Sequence, residues 1–138
     1  MKESDIQREV LYTLSKIPNS KIQRINNTPI YDPKSGKHRM MNSRYQDYGV
    51  SDIFLLYKGI HFAIEVKTPK EYKYIMKNYD EIRNGFFSHK SQNSTERKKA
   101  RYQSQMIYIE DIIKCGGHGF FTCNDRHALE EVKQFFKK

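Results

Sequence analysis

Ile6, Val10, Leu14 and Ile17 recur at helical spacing until Pro18-Asn19-Ser20, so the pattern predicts a helix over residues 3–16. A strand is expected from Lys21 to Asn26. Residues 27–48 hold Pro29, Pro33 and Gly36 among polar and basic positions and read as a long loop or irregular hairpin. Two apolar runs, Ile53–Tyr57 and Ile60–Ile64, flank Lys58-Gly59 and predict a tight hairpin. After Thr68-Pro69, residues 70–84 look helical around Tyr72, Ile75, Met76, Tyr79 and Ile82, with Gly85 as the stop. Residues 88–99 are polar without apolar periodicity and predict a mobile loop. Tyr102, Met106, Ile109, Ile112 and Ile113 mark a helix over 100–115 that ends at Gly116-Gly117. Phe120–Thr122 is a short strand and Ala128–Phe136 a terminal amphipathic helix. The order is α, β, β, β, an α-rich insertion, α, β, α. It describes an α/β sandwich around a mixed sheet, in one domain spanning residues 1–138.

The central hairpin brings charges together. If Lys58-Gly59 form its turn, Tyr57 opposes Ile60 and Asp52 falls opposite Glu65. Directly opposed like charges destabilise a sheet unless something compensates them, and a divalent cation would do so. Lys67 lies two residues past Glu65, on the same strand face. Ile53, Leu55, Tyr57, Phe62, Ile64 and Val66 form the other, apolar face. In a plainer reading Asp52 caps a turn and Glu65 with Lys67 makes a surface ion pair. The apolar neighbours Phe62, Ala63, Ile64 and Val66 weigh against it, because they describe a strand buried on both sides.

Two further polar residues sit on apolar stripes. Glu3 projects between Val10 and Leu14, whereas Glu9 points about 100° away by helical geometry. It either favours the positive end of the helix dipole or approaches the carboxylates as a third acid. Gln105 projects between Ile109 and Ile112, while Gln103 points toward solvent. A buried amide wants partners.

Composition narrows the partners. The 138 residues suffice for a single core, and 25 basic against 16 acidic residues leave a net charge of +9. Such a balance favours a polyanion, with nucleic acid ahead of a membrane surface because no long basic amphipathic helix is evident. There are 10 Tyr, 8 Phe and no Trp. The N-terminus lacks a signal-type apolar core, and no stretch approaches the ~20 apolar residues of a membrane span, so a soluble cytoplasmic protein, bacterial or phage-encoded and nucleoid-associated when on DNA, is expected. Cys115 and Cys123 are read as free thiols, and the five histidines show no ligand spacing.

Mg²⁺ or Mn²⁺ prefers oxygen ligands and keeps several waters, so Asp52, Glu65, the Val66 carbonyl and Glu3 form a candidate incomplete shell. Such an ion activates water and offsets charge at a phosphodiester. Lys67 would orient or deprotonate that water, or stabilise transition-state charge.

Ser51-Asp52 followed by Glu65-Val66-Lys67 resembles the PD-(D/E)XK nuclease superfamily, with serine in the proline place. The chain looks most like its virus-type replication-repair nuclease (VRR-NUC) family and the related Holliday-junction resolvases. Glu3-x-x-Ile6-Gln7 resembles the family's opening helix, Gly49–Ile53 its metal strand, Ala63–Lys67 its catalytic strand, and Gln105 its helical glutamine. The resemblance spans residues 3–122. It implies a restriction-endonuclease-like core (α-β-β-β-α-β) and a metal-dependent endonuclease with Asp52, Glu65, Lys67, Glu3 and Gln105 in the site. Branched DNA as substrate rests on it alone. The departure is the 37 residues between Lys67 and Gln105, where the family's glutamine comes soon after its lysine. The insertion 69–101 holds nine basic and four acidic residues and could be a substrate lid, a dimer element or a solvated excursion.

Bases interleave with aromatics at Lys37-His38-Arg39, Arg44-Tyr45, Lys70-x-Tyr72-Lys73-Tyr74 and Arg97-Lys98-Lys99-x-Arg101-Tyr102, as backbone contact and base stacking require. Each alone also suits a solvated face. Arg24 and Asn26 could reach phosphate from a sheet edge or form a cross-strand polar pair. The leading expectation is a Mg²⁺-dependent endodeoxyribonuclease acting on branched DNA, open to being a homodimer. A non-catalytic nucleic-acid-binding module of the same fold, a restriction-like or RNA-directed nuclease, and an interaction protein with structural acids are the competitors.

Overall fold

In chain order the elements are helix α1 (Glu3–Ser15), strands β1 (Ser20–Arg24), β2 (Ile30–Asp32), β3 (Lys37–Arg39), β4 (Ile53–Tyr57) and β5 (Ile60–Val66), helices α2 (Pro69–Lys77), α3 (Tyr79–Asn84) and α4 (Ser94–Lys114), strand β6 (His118–Thr122), and helix α5 (Asp125–Phe135). The computed structural model describes residues 1–25, 30–32, 37–39 and 49–137, the second and third of these ranges as backbone only. Asn26 and Arg44, named above as phosphate contacts, lie outside the described residues, as do the side chains of Lys37 and Arg39.

The main sheet runs β1-β4-β5-β6, and β2 pairs with β3 separately. β4 and β5 form the expected hairpin, with Tyr57 opposite Ile60 and Ile53 opposite Ile64. Its turn needs positive φ at both central residues, and Lys58 and Gly59 supply φ of 51° and 76°. β1 lies antiparallel on the other side of β4, and β6 runs parallel to β5. The sheet is therefore mixed and flanked by helices. β5 has a strand on either side and helices over both faces, which is why Phe62–Val66 are buried without alternation.

Alternation along β5 still decides which helix each side chain meets. Phe62, Ile64 and Val66 join Ile53 and Leu55 in a core with Ile6, Val10 and Leu14 of α1 and with Ala128 and Val132 of α5. Ala63, Glu65 and Lys67 face the opposite way, toward α4. There Tyr102, Met106 and Ile109 pack with Ile75, Ile82 and Phe121 in a second core. Among the described residues, no helix is long and apolar enough to cross a membrane.

Three expectations are corrected. The single helix over 70–84 is two, because Asn78 leaves helical geometry at φ −109° and ψ 21° and its side-chain amide donates to the Tyr74 carbonyl at 2.9 Å. That local bond competes with helix continuation. The loop expected over 88–99 is shorter, because α4 starts at Ser94, where the Asn93 side-chain Oδ1 accepts from the amides of Thr95 and Glu96. Ser94, Thr95, Arg97 and Lys98 are exposed, so those turns carry no apolar stripe. Gln103 does not point to solvent: it is half-buried, and its amide donates to the carbonyls of Ile82, Arg83 and Gly85 where α3 ends. These carbonyls are the orphan acceptors of a helix end.

The loop before β4 reaches α4 through Gly49. Its φ is +77°, and a Cβ there would lie 2.5 Å from the Ser104 carbonyl carbon. Gly59 has a similar φ of +76° but no neighbour within 4 Å of such a Cβ. Gly49→Ala is therefore expected to cost about 2 kcal/mol more than Gly59→Ala, the difference being the steric clash rather than backbone strain. Denaturant unfolding of both variants measures this. Equal losses would show that the Gly49 approach to α4 is not tight.

Candidate active site

Four elements bring polar groups to the rim where β5 ends. Asp52 stands one residue before β4, and its Oδ2 accepts from the Val66 amide at 2.9 Å. This bond extends the hairpin pairing by a side chain and holds the carboxylate beside β5. Glu65 is 2% exposed on the α4 face of β5. Gln105, 8% exposed, donates from Nε2 to Glu65 Oε1 at 3.1 Å. Lys67 is 3% exposed, its Nζ lies 3.8 Å from the same Oε1, and its amide donates to the Thr122 carbonyl of β6 at 2.9 Å. Glu3, half-buried at the start of α1, is near enough to act on Glu65 through charge, whereas Glu9 is exposed. The residues expected together from sequence thus converge, and the choices of Glu3 over Glu9 and Gln105 over Gln103 follow the helical faces.

Tyr102 and Glu71 were not anticipated as part of this environment. The Tyr102 ring lies under Lys67, with Nζ 5.0 Å from its centroid, and its hydroxyl donates to Glu71 Oε2 at 2.7 Å. Thr68 caps α2 by accepting from the Glu71 amide at 3.3 Å, so Thr68-x-x-Glu71 was a visible capping signal. The bond from Glu71 to Tyr102 spans 31 residues and had no local sign.

Electrostatics follow from burial. Burial raises Glu65 well above the ordinary carboxylate value, and the negative charge of Asp52 adds to it, while Lys67 partly opposes the rise. Burial likewise raises Glu3, against the pull of Lys67 and with the push of Asp52 and Glu71. Burial also pushes Glu71 upward, but the Tyr102 hydroxyl, Lys67 and Arg101 outweigh it and leave the carboxyl lowered. Tyr102 is raised to about 12 by burial and by Glu71.

The donor set can be tested by what it leaves unpaired. Glu65 Oε2 and Gln105 Oε1 are buried and have no hydrogen-bond partner among the described residues. Asp52 and Glu65 are both acceptors when ionised, so they can bond each other only through a shared proton or meet through a cation. Two carboxylates with a free buried oxygen fit Mg²⁺ or Mn²⁺, which is commonly held by one or two carboxylates with water and phosphate completing the shell. Among the described residues no group of three or more His, Cys, Asp or Glu side chains is placed to hold a metal. The converging acids are thus Asp52 and Glu65, with Glu3 acting on both through charge. The Val66 carbonyl leaves the strand on the same edge as the amide bonded to Asp52. Ser51, which precedes Asp52, is fully buried, and its hydroxyl has no hydrogen-bond partner among the described residues.

The basic residues named from sequence lie in several places. Lys70 and Lys73 on α2, Arg97, Lys98 and Arg101 on α4, and Arg24 at the end of β1 are exposed. Lys99 is half-buried, pairing with Glu81 at 3.4 Å and lying over the Phe87 ring at 5.6 Å. Arg101 lies close enough to Glu71 and Glu3 to act on both through charge. The exposed surfaces of α2 and of the start of α4 therefore carry basic residues, and among these Arg101 is the one seen to act on the carboxyls of Glu3 and Glu71. No family model matches the chain, and no curated protein or solved structure matches it.

A pH dependence follows from Glu65. A carboxyl raised on folding is bound by a proton more tightly in the folded state, so its contribution to stability is full below the ordinary value of 4.5 and is lost as pH rises through the raised value. Metal-free protein should lose stability relative to Glu65→Gln as pH increases from about 4.5 toward neutrality. Paired denaturant titrations across that range measure the difference. A pH-independent gap would contradict the assignment of Glu65 as a buried, strained acid.

Proposed function

We propose that this chain is a metal-dependent endonuclease that hydrolyses phosphodiester bonds in DNA, branched or structured DNA in particular, through a restriction-endonuclease-like core. The observation that carries the reading is the pairing of Asp52 with a buried Glu65 whose Oε2 has no hydrogen-bond donor among the described residues, beside the buried ammonium of Lys67. Burying a carboxylate costs several kcal/mol unless its lone pairs are met, and here one amide and one distant ammonium meet Oε1, while the Asp52 carboxyl stands close enough to share a proton with Glu65 and raises it further. The order α1-β1-β4-β5-α4-β6 is compatible with the expected core, with β2–β3 and α2–α3 as additions to it.

Asp52 and Glu65, with the Val66 carbonyl, would hold Mg²⁺ or Mn²⁺. When bound, the ion supplies positive charge against the phosphate oxygens and makes water a better nucleophile. Gln105 holds Glu65 in one orientation through Oε1 and leaves Oε2 available. Lys67, fixed over Tyr102 and by its backbone bond to Thr122, offers an ammonium at the same rim. It can orient water there, pass a proton, or stabilise charge on the phosphate. Arg101, Lys70 and Lys73 supply exposed charges for flanking phosphates, in keeping with a net charge of +9.

Purified protein is expected to cut four-way, flap or splayed DNA with Mg²⁺ or Mn²⁺ and not with chelator. Asp52→Asn and Lys67→Ala should each lower the rate by about 100-fold or more while leaving DNA binding within a few-fold. An electrophoretic cleavage panel that includes linear duplex and RNA measures this. Salt-sensitive DNA binding without metal-dependent cutting of any substrate would favour a non-catalytic module, and cutting that survives Asp52→Asn would sink the site.

A further inference from the structure

The end of the molecule away from the carboxylates carries an apolar hollow of about 580 Å³, between the last turn of α1, the β4–β5 turn and the second half of α5. Asp52 and Tyr57 are five residues apart along the hairpin, about 17 Å at strand rise, so the hollow is separate from the candidate active site. Ile17, Tyr57, Val132 and Phe136 line it. Val132 is 1% exposed and belongs to the main core, against which the other three pack half-buried. The walls are tied together, because the Thr13 hydroxyl of α1 donates to Asp125 Oδ2 of α5 at 2.7 Å, and the Tyr57 and Phe136 rings meet edge to face at 5.4 Å. A preformed apolar cleft of this size is the usual form of a binding site.

Charge points to the occupant. Lys16, Lys58, Lys133 and Lys137 line the same hollow, all four are exposed, and no acid lines it among the described residues. None of the four makes an ion pair among the described residues, whereas Asp125, which reaches the wall at Thr13, is engaged by that hydroxyl. Lys16 and Lys133 complement the negative ends of α1 and α5. Lys58 has no such reason. It stands in the hairpin turn at φ 51°, where Asn or Gly is the usual residue, and its ammonium lies 5.0 Å from the Phe136 ring and 5.3 Å from the Tyr57 ring. Four cations around one apolar hollow exceed what the single carboxylate of a fatty acid would meet, and they match a run of acids. A concave hollow accepts an inserted side chain, whereas docking on a membrane surface needs apolar side chains that project. We propose that this hollow binds a short acidic segment of a partner protein, with an apolar side chain of the segment seated between α1 and α5 and its carboxylates meeting the four lysines. Such a partner would be held whether or not Asp52 and Glu65 bind a metal.

The probe is a fluorescein-labelled peptide of consecutive aspartates ending in Leu-Phe, titrated against the full-length protein by fluorescence anisotropy. Matched peptides carry asparagines for the aspartates, or serines for Leu-Phe. Saturable binding of the first peptide is expected, weakened about ten-fold or more in each matched peptide and in Lys16→Glu and Lys133→Glu. Both variants change exposed side chains and should keep the wild-type circular dichroism spectrum. Amide shifts on binding should centre on Ile17, Lys58, Val132 and Phe136. No saturable binding, equal binding of the asparagine peptide, or shifts centred on Glu65 and Gln105 would overturn the assignment. Phosphatidylglycerol vesicles that bind the wild type and not the variants, with the peptide unbound, would give the hollow to a membrane surface and overturn the peptide site. Concentration-dependent dimerisation that Lys133→Glu abolishes, with the peptide unbound, would give it to a second copy and overturn it equally.

Discussion

The buried carboxylate of Glu65 is the constraint around which the rest of the molecule is arranged. It is 2% exposed, it stands beside Asp52, and one of its oxygens has no donor among the described residues. A charge removed from water is tolerated only when paired and hydrogen-bonded, and otherwise it takes up a proton. The neighbouring groups meet that demand halfway. Gln105 and Lys67 both address Oε1, and Asp52 turns its Oδ2 to the Val66 amide. Under the proposed function, the oxygen left unmet is the one that would face a divalent cation.

Holding that arrangement requires contacts from distant parts of the chain. β5 carries Glu65 and leads directly into Lys67, the hairpin turn at Lys58-Gly59 sets Asp52 beside them, and β6 fixes the Lys67 backbone through Thr122. α4 delivers Gln105, and Gly49 allows the Asp52 loop to approach it with nothing but backbone between them. Tyr102 places an aromatic face against the Lys67 ammonium and is itself held by Glu71. Residues 69–101 thus reach this rim through α2, which supplies Glu71 to the Tyr102 hydroxyl.

Much of this was legible because strands and helices have fixed periods. A two-residue turn determines hairpin register, so Asp52, Glu65 and Lys67 could be put on one face, and 100° per residue separates Glu3 from Glu9 and Gln105 from Gln103. What stayed hidden had no periodic signal. The first turns of α4 are exposed and charged, so only the Asn93 cap marked them. The break at Asn78 depends on a side-chain bond that interrupts an apolar pattern otherwise continuous from Tyr72 to Ile82. Gln103 finds its partners at the helix end before Gly85, across 18 to 21 residues of sequence that no helical period connects. Tyr102 read as one more core aromatic, since its bond to Glu71 joins residues that come together only in the fold.

The most direct test of the buried pair is a crystal structure of the protein soaked in Mn²⁺, with the ion located by its anomalous scattering. An ion is expected between Asp52 and Glu65, with an oxygen of each at roughly the 2.1 Å typical of octahedral Mg²⁺, and with Glu65 Oε2 among its ligands. The contrary result would be no anomalous peak at this rim, with Oε2 instead bonded to a protonated Asp52 or to another donor.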